Sequence, residues 1–348
     1  MKKILLIGTD SIHLYNFYIV IKDLFDEIEI VIDKEKTDYN FGKSKIHVIN
    51  FSAKNIFRFF RNIKILRKIA KEFKPDIIHS QQANTTSFMA VRVAKKTKTP
   101  IVVTAWGSDI LLTPTLGFFY KKMVLYIIKN ANAFTADAKF VAEKMDELAK
   151  AKLDTTIANF ASIEISENPV KENIIYSNRL MKKLYRIDRV IQAFAVFLKN
   201  EERKDWKLII AGTGEELATL QKLSKSLNIA DNIEFTGWLN HNENKSIYEQ
   251  ARIFVSIPES DGTSISLLEA MGAGCIPIVS DLPANREWIT HSENGFIVND
   301  FKSNFFEEAL KINSAKAISI NQELIRNKAS FKANQDAFLS VYKKYISI

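Results

Sequence analysis

Cysteine is almost missing: Cys275 stands alone in 348 residues. One thiol excludes a disulfide framework and any zinc site built on cysteine pairs. The five histidines do not fall at metal-ligand spacings, so neither a metal nor another cofactor is expected. Nowhere is there a run of the roughly 18 apolar residues that a spanning helix needs, so no transmembrane helix is expected. Lys2 and Lys3 precede the apolar run ILLI, but that run is too short for a secretory signal and stops at Gly8, Thr9 and Asp10. A strand entering a polar turn fits it better. Acid is in the minority, with 40 Asp and Glu against 49 Lys and Arg, a net charge of +9. Such a surplus biases encounters toward phosphates, anionic lipids or nucleic acid without choosing among them. No nucleic-acid recognition motif is present, so no nucleic-acid partner is expected.

What is present is apolar substance in abundance. Hydrophobic residues make up 47% and charged residues 26%, enough to bury a core and to exclude a disordered chain. The length suits two domains, and the composition points to a cytoplasmic protein.

Short β-rich runs alternate with helical stretches. Strands are expected near Ile4–Ile7, Ile28–Ile32, Ile46–Ile49, Ile77–His79, Ile101–Thr104 and Ala133–Thr135, with helical spacing over Ser52–Phe73 and Phe118–Lys129. A polar stretch at 159–173 reads as a linker, after which the pattern restarts. Strands follow near Ile174–Tyr176, Lys207–Ala211, Ile233–Thr236, Ile253–Ile257, Ile276–Ser280 and Gly295–Val298. Helices lie between them near Asp188–Leu198, Glu215–Leu227, Lys245–Gln250, Ser264–Ala273 and Phe305–Lys311. The alternation predicts an α/β chain with two doubly wound, Rossmann-like parallel sheets. The boundaries expected are 1–165, 172–330 and a terminal helical segment 331–348. Ligands of such sheets bind beyond the carboxyl ends of the strands, here in a cleft between facing domains.

Chemistry concentrates in Ile257–Asp281, IPESDGTSISLLEAMGAGCIPIVSD. A strand ends, a polar loop follows and a helix begins near Ser264. Free N–H groups at that helix start, with Gly262 opening the backbone beside Thr263 and Ser264, suit an anion. Eight positions separate Asp261 from Glu269, a little over two helical turns, so both can reach one side. A helix N-terminus for phosphate plus a carboxylate for sugar hydroxyls suits a nucleotide-sugar. The ordinary alternative is a capped surface helix.

This segment resembles the signature of the retaining, GT-B-fold glycosyltransferases of family 4, glycosyl transferases group 1. In that family two acids frame seven residues ahead of EAMAxGxPV; here Asp261 and Glu269 do so ahead of Ala270-Met271-Gly272-Ala273-Gly274-Cys275-Ile276-Pro277-Ile278. The first acid is usually Glu. Either Asp261 or Glu259, two residues earlier, takes its place. Ser177-Asn178-Arg179-Leu180 resembles the family's GRL segment, which implies that Arg179 neutralises a donor diphosphate. The accompanying lysine is Lys183, or else Lys182 or Tyr185 fills its place, since the spacing to Asp188 is one residue long. Taken alone, Arg179 also reads as a solvated surface charge. Gly212-Thr213-Gly214-Glu215 is a glycine turn opening a helix, and Phe235-Thr236-Gly237-Trp238-Leu239 resembles the segment bordering the nucleobase; a plain turn and a buried strand end are the ordinary readings.

In the first half, Gly8 to His13 resembles the family's first-strand glycine loop in reduced form, with His13 near the donor phosphate or the acceptor, or simply structural. Trp106 stands where relatives often carry a histidine facing the acceptor, which makes Asp109 the candidate for orienting the acceptor hydroxyl. His79-Ser80-Gln81-Gln82 is expected to line the same cleft. The resemblance therefore implies catalytic roles for Asp109, Arg179, Lys183, Asp261 and Glu269. Donor binding falls to Gly8, His13, Gly212, Gly214, Trp238, Leu239, Glu259, Gly262, Thr263 and Ser264.

Lys43–Lys74 holds ten Lys and Arg against one acid, Glu72. Ile56, Phe60, Ile63, Leu66, Ile69 and Phe73 form an apolar stripe along it, with Phe57 and Phe59 beside or off the stripe. Either this helix, 54–74, lies on an anionic bilayer, or it packs on its own sheet with a solvated basic face. The resemblance implies an enzyme moving a sugar, preferably from a UDP-sugar, to a glycan or lipid-linked acceptor. The expected location is cytoplasmic, either free or peripheral at the inner face of the cell membrane. Two alternatives stand beside it: a catalytically impaired nucleotide-sugar-binding or membrane-scaffold protein, and a sugar-nucleotide epimerase on the same fold. A nicotinamide oxidoreductase is disfavoured because GTDSIH lacks the G-x-G-x-x-G fingerprint.

Overall fold

The computed structural model describes residues 2–159, 162–301 and 303–347. Phe160 and Ala161, inside the linker expected at 159–173, lie outside the described residues. The chain divides into two compact units, one of Met1–Ser162 with Phe331–Ile348, the other of Ile163–Ser330.

The first unit holds seven parallel strands: β1 (Lys3–Ile7), β2 (Glu27–Ile32), β3 (Lys45–Val48), β4 (Ile77–Gln81), β5 (Ile101–Ala105), β6 (Ala133–Ala136) and β7 (Thr155–Ile157), in the order β3-β2-β1-β4-β5-β6-β7. The run Ile4–Ile7 is wholly buried, as a parallel strand covered on both faces requires. The strand order reverses between β1 and β4, so the loops after those strands open the crevice where such sheets hold ligands. The short β7 and the helices Thr85–Thr97 and Lys139–Ala149 go beyond the elements singled out in the sequence.

The long basic helix runs Ile56–Phe73, capped by the Asn55 side chain, which accepts from Arg58 N–H at 2.9 Å. Its buried face is Phe59, Asn62, Leu66, Ile69, Ala70 and Phe73. Phe59, expected off the stripe, is therefore a core residue, while Ile56 and Phe60, expected on it, are exposed. Asn62 decides the rotation: its amide donates to the Asn50 carbonyl at 2.7 Å and ties the helix to the loop after β3.

The last helix, Phe331–Tyr342, belongs to the first unit. Phe338 meets Phe17 edge-on, with ring centroids 4.9 Å apart. Asn334 and Asn159 exchange two hydrogen bonds, at 2.9 and 3.1 Å. Tyr342 Oη lies 2.7 Å from His79 Nδ1. Buried polar groups matched in this way fix the helix register, because leaving any one unmatched is costly.

The second unit holds six parallel strands: β8 (Glu172–Asn178), β9 (Lys207–Ala211), β10 (Ile233–Gly237), β11 (Ala251–Ser256), β12 (Ile276–Ser280) and β13 (Phe296–Val298), in the order β10-β9-β8-β11-β12-β13. The reversal falls between β8 and β11. Helix Ile187–Phe197 repeats apolar residues at 187, 190, 191, 194 and 197, and they pack with Trp206, Phe305 and Phe306. The helix expected at Lys245–Gln250 starts earlier, at His241, because Asn240 and Glu243 form a reciprocal capping box. Among the described residues no helix is long and apolar enough to cross a membrane.

Candidate active site

In the second unit the site grows from the two strands flanking the reversal. Arg179 follows β8, and the loop Ile257–Ser264 follows β11. Arg179 Nη1 donates to Ser264 Oγ and Nη2 to the Asp261 carboxylate, both at 2.6 Å. The guanidinium carbon sits 4.4 Å from the ring centre of Tyr185. A charge-assisted fork of this kind sets the arginine plane rigidly at the start of helix Ile265–Gly272. Asp261 also accepts from Gly262 N–H at 3.1 Å. The competing acid, Glu259, turns elsewhere: its carboxylate accepts from Arg186 Nε at 3.2 Å, and its N–H donates to the Leu184 carbonyl at 2.9 Å. Asp261 is thus the acid beside the expected diphosphate arginine.

Of the three residues offered for the accompanying lysine's place, Tyr185 is the one beside Arg179. Lys183, with Lys182, Arg186 and Glu259, lines a cavity of about 660 Å³. The short turn Lys183–Tyr185 lays the Tyr185 ring against the Arg179 guanidinium.

The two glycines after β9 are required by close approach. Gly212 has φ +118°, and a Cβ there would lie 2.6 Å from the Arg179 carbonyl oxygen; at Gly214 it would lie 2.3 Å from that of Met181. They let the β9 turn press on the backbone that carries Arg179. Thr263 is buried with its hydroxyl taking the Trp288 indole N–H at 3.3 Å, so it holds the loop in place. Trp238 is exposed and Leu239 partly so, directly after β10.

Glu269 lies in the second turn of helix Ile265–Gly272. Burial pushes its carboxyl up to about 7, and a hydrogen bond from Tyr248 opposes that rise. His241 Nδ1 is 4.0 Å away. Behind it runs a polar network: Tyr176 Oη donates to Asn244 Oδ1 at 2.5 Å, and Asn178 Nδ2 reaches the same oxygen at 2.6 Å and Tyr248 Oη at 3.3 Å. The sequence reading missed Asn244 and Tyr248. Their spacing of four on helix His241–Gln250, one face of a helix, is the signal that could have found them.

In the first unit, Gly8, His13, Gln81, Trp106 and Asp109 meet beyond the ends of β1, β4 and β5. His13 packs edge-on against Trp106, ring centroids 4.9 Å apart, and burial lowers its pKa, so it is neutral near pH 7. Trp106 Nε1 donates to Gln81 Oε1 at 2.7 Å. A Cβ on Gly8 would strike Leu14 Cδ1 at 2.8 Å. Two expectations change here. Asp109 is buried, and its oxygens accept from Ala83 N–H at 2.6 Å and Trp106 N–H at 3.0 Å. It therefore clasps the loops after β4 and β5 rather than facing an acceptor hydroxyl. Burial raises it to about 6 against those N–H groups. His79 does not line a cleft; fully buried between Tyr342 and Thr104, it is held neutral with a pKa of about 3. Among the described residues no three His, Cys, Asp or Glu are grouped to hold a metal ion.

Comparison with known proteins bears on both units. Residues 159–328 match the family model "Glycosyl transferases group 1", and residues 3–138 match "Glycosyl transferase 4-like". The alpha-monoglucosyldiacylglycerol synthase of Streptococcus pneumoniae is 24% identical over 249 residues, covering 64% of this chain and 55% of that protein. The GDP-mannose:cellobiosyl-diphosphopolyprenol alpha-mannosyltransferase of Xanthomonas campestris is 30% identical over 142 residues, 40% of this chain and 35% of the other. The chain thus spans about a third to a half of the length of these curated relatives. Anabaena Alr3699/HepE, solved with UDP and glucose, superposes with a TM-score of 0.78 at 12% identity over 99% of this chain and 100% of that one. Sucrose-phosphate synthase from Thermosynechococcus elongatus gives 0.81 at 12% identity over 99% of each. Likeness at that identity shows the fold alone, and the fold is GT-B.

Proposed function

The chain belongs to the group 1 glycosyltransferases, and we propose that it moves a sugar from a nucleoside-diphosphate sugar, UDP-linked by first choice, to an acceptor hydroxyl with retention at the anomeric carbon. The observation that carries this is the Arg179–Asp261–Ser264 cluster at the start of helix Ile265–Gly272, with Glu269 on the same helix. The guanidinium and the helix N–H groups meet the diphosphate, and the Glu269 carboxylate accepts from ribose hydroxyls. The sugar C1–O bond to the diphosphate breaks, the acceptor oxygen bonds C1 on the same face, and the acceptor proton passes to the departing phosphate oxygen. Catalysis then rests on positioning and on neutralising leaving-group charge. The second unit takes the donor and the first the acceptor.

A lipid-linked glycan or a surface polysaccharide precursor is the acceptor this reading favours, with the protein peripheral at the cytoplasmic membrane face. Support comes from the net charge of +9 and from relatives whose names specify a diacylglycerol and a diphosphopolyprenol acceptor. The test is nucleoside-diphosphate release from UDP-, GDP-, ADP- and dTDP-sugars, with and without a lipid extract. Release from one donor, lost in Glu269→Ala, supports the reading; silence across the panel with no nucleotide-induced thermal shift refutes it.

A further inference from the structure

His241 and Glu269 approach each other without meeting. His241 Nδ1 lies 4.0 Å from Glu269 Oε1, beyond the roughly 3.2 Å limit of an N–H···O hydrogen bond. The imidazole is 69% exposed, and the Glu269 side chain keeps 26% of its surface in solvent. A ligand can therefore reach both groups from outside.

Both sides of this gap are built into the fold of the second unit. On the inner side, Tyr248 donates to the Glu269 carboxylate, and Asn178 Nδ2 reaches Tyr248 Oη at 3.3 Å. His241 is the first residue of helix His241–Gln250, whose start is closed by Asn240. Asn240 Oδ1 accepts from Glu243 N–H at 3.1 Å, and its own N–H donates to Glu243 Oε2 at 2.7 Å. Asn244 then joins the two sides. Its Nδ2 donates to the carbonyls of Leu239 and Asn240, each at 3.0 Å, while its Oδ1 accepts from Tyr176 and Asn178. The turn that carries His241 is thus tied to the same polar network that backs Glu269. One set of hydrogen bonds fixes the two residues relative to one another.

The spacing fits a single hydroxyl. An oxygen about 2.8 Å from each group subtends an angle of about 90° across the 4.0 Å gap. That angle lets a hydroxyl donate to one neighbour while it accepts from the other. We infer that a ribose hydroxyl of the donor nucleotide occupies this gap, donating to Glu269 and accepting from His241 Nδ1–H, so that His241 selects ribonucleotide over deoxyribonucleotide donors. An ionised carboxylate only accepts, so Glu269 by itself leaves the hydroxyl oxygen without a donor, and the imidazole supplies it. An anionic group does not suit the same gap, because Glu269 would repel it. The inference deepens the donor reading given above and rests on it.

UDP, GDP and ADP, each with its 2′-deoxy and 3′-deoxy form, would be titrated calorimetrically into the full chain. The expected result is binding of one ribonucleotide, with affinity falling on the order of 100-fold when one of the two hydroxyls is removed. In His241→Ala the ribonucleotide should bind ~10-fold more weakly while that deoxy analogue binds as it does to wild type. A merely structural role for His241 would weaken both ligands alike. His241→Asn, which returns an N–H donor near the Nδ1 position, should recover most of the loss. The imidazole is in solvent, and an unchanged melting temperature checks that both variants fold. Equal losses for the ribo and deoxy ligands in His241→Ala, no loss for either, or a wild type that binds all three forms alike overturns the inference and leaves the donor reading standing. No binding of any nucleoside diphosphate to wild type removes the donor reading, and this inference with it.

Discussion

Arg179 and Asp261, 82 residues apart, are joined at 2.6 Å, and the second arm of the same guanidinium is held by Ser264. The arginine is therefore aimed before any ligand arrives, with its face on Tyr185. Preorganised charge of this kind costs no reorganisation when a leaving group develops its negative charge. Lysine cannot reproduce the two-pronged contact. Arg179→Lys should lower kcat/KM for the donor on the order of 100-fold, read as nucleoside-diphosphate release. Wild-type turnover in that variant would separate Arg179 from the leaving group.

Glu269 should give the donor reaction its acid limb. Burial holds it near 7 against an ordinary 4.5, and only the ionised form accepts two hydroxyl donors. Hence kcat/KM should rise with pH through about 7 and then level. The folded state binds this proton more tightly than the unfolded chain, so the group's contribution to stability is full below 4.5 and is lost as pH climbs to about 7. Glu269→Gln should abolish transfer yet melt a few degrees higher than wild type at alkaline pH, the gap closing in acid. Calorimetric melts across pH check this.

Tyr248 donates to Glu269 and so lowers the carboxyl that burial raises. Tyr248→Phe should move the acid limb of nucleotide binding upward, with a loss of about 1 kcal/mol in stability. Titration calorimetry over a pH series reads it. A profile that superposes on wild type would mean that Tyr248 only fills space.

The last helix is tied to the first sheet through Tyr342 and His79. Removing the hydroxyl leaves a buried imidazole nitrogen unmatched, so Tyr342→Phe should cost about 1–3 kcal/mol in urea unfolding. His79, held neutral at a pKa of about 3, contributes stability above its ordinary 6.5 that declines as pH falls through that window. Acid should loosen the first unit accordingly, seen as loss of near-ultraviolet dichroism. Equal midpoints for Tyr342→Phe and wild type would show the bond to be dispensable.

Much of the site was legible because its signals are local. The spacing of Asp261 from Glu269, the helix start at Ser264 and the Gly212–Gly214 turn are consequences of chain geometry over ten residues or fewer, and they lie where expected. The choice of Asp261 over Glu259 was not legible, since both acids sit in one loop and only the distant Arg179 and Arg186 separate them. That Tyr185, rather than Lys182 or Lys183, lies against Arg179 depends on how the short turn at 183–185 sets its side chains. The clasp made by Asp109 depends on two loops that only the pairing of β4 with β5 brings together.

By itself the sequence determined two parallel α/β sheets, their main strand positions and the helix start at Ser264, because periodicity and capping act between neighbours in the chain. Tertiary structure alone decided which face of the helix at 56–73 is buried, and that His79 is sealed beneath Tyr342 at a separation of 263 residues. Those outcomes depend on packing and on the matching of buried polar groups across the fold, and residues far apart in the chain acquire that relation only when the sheets form.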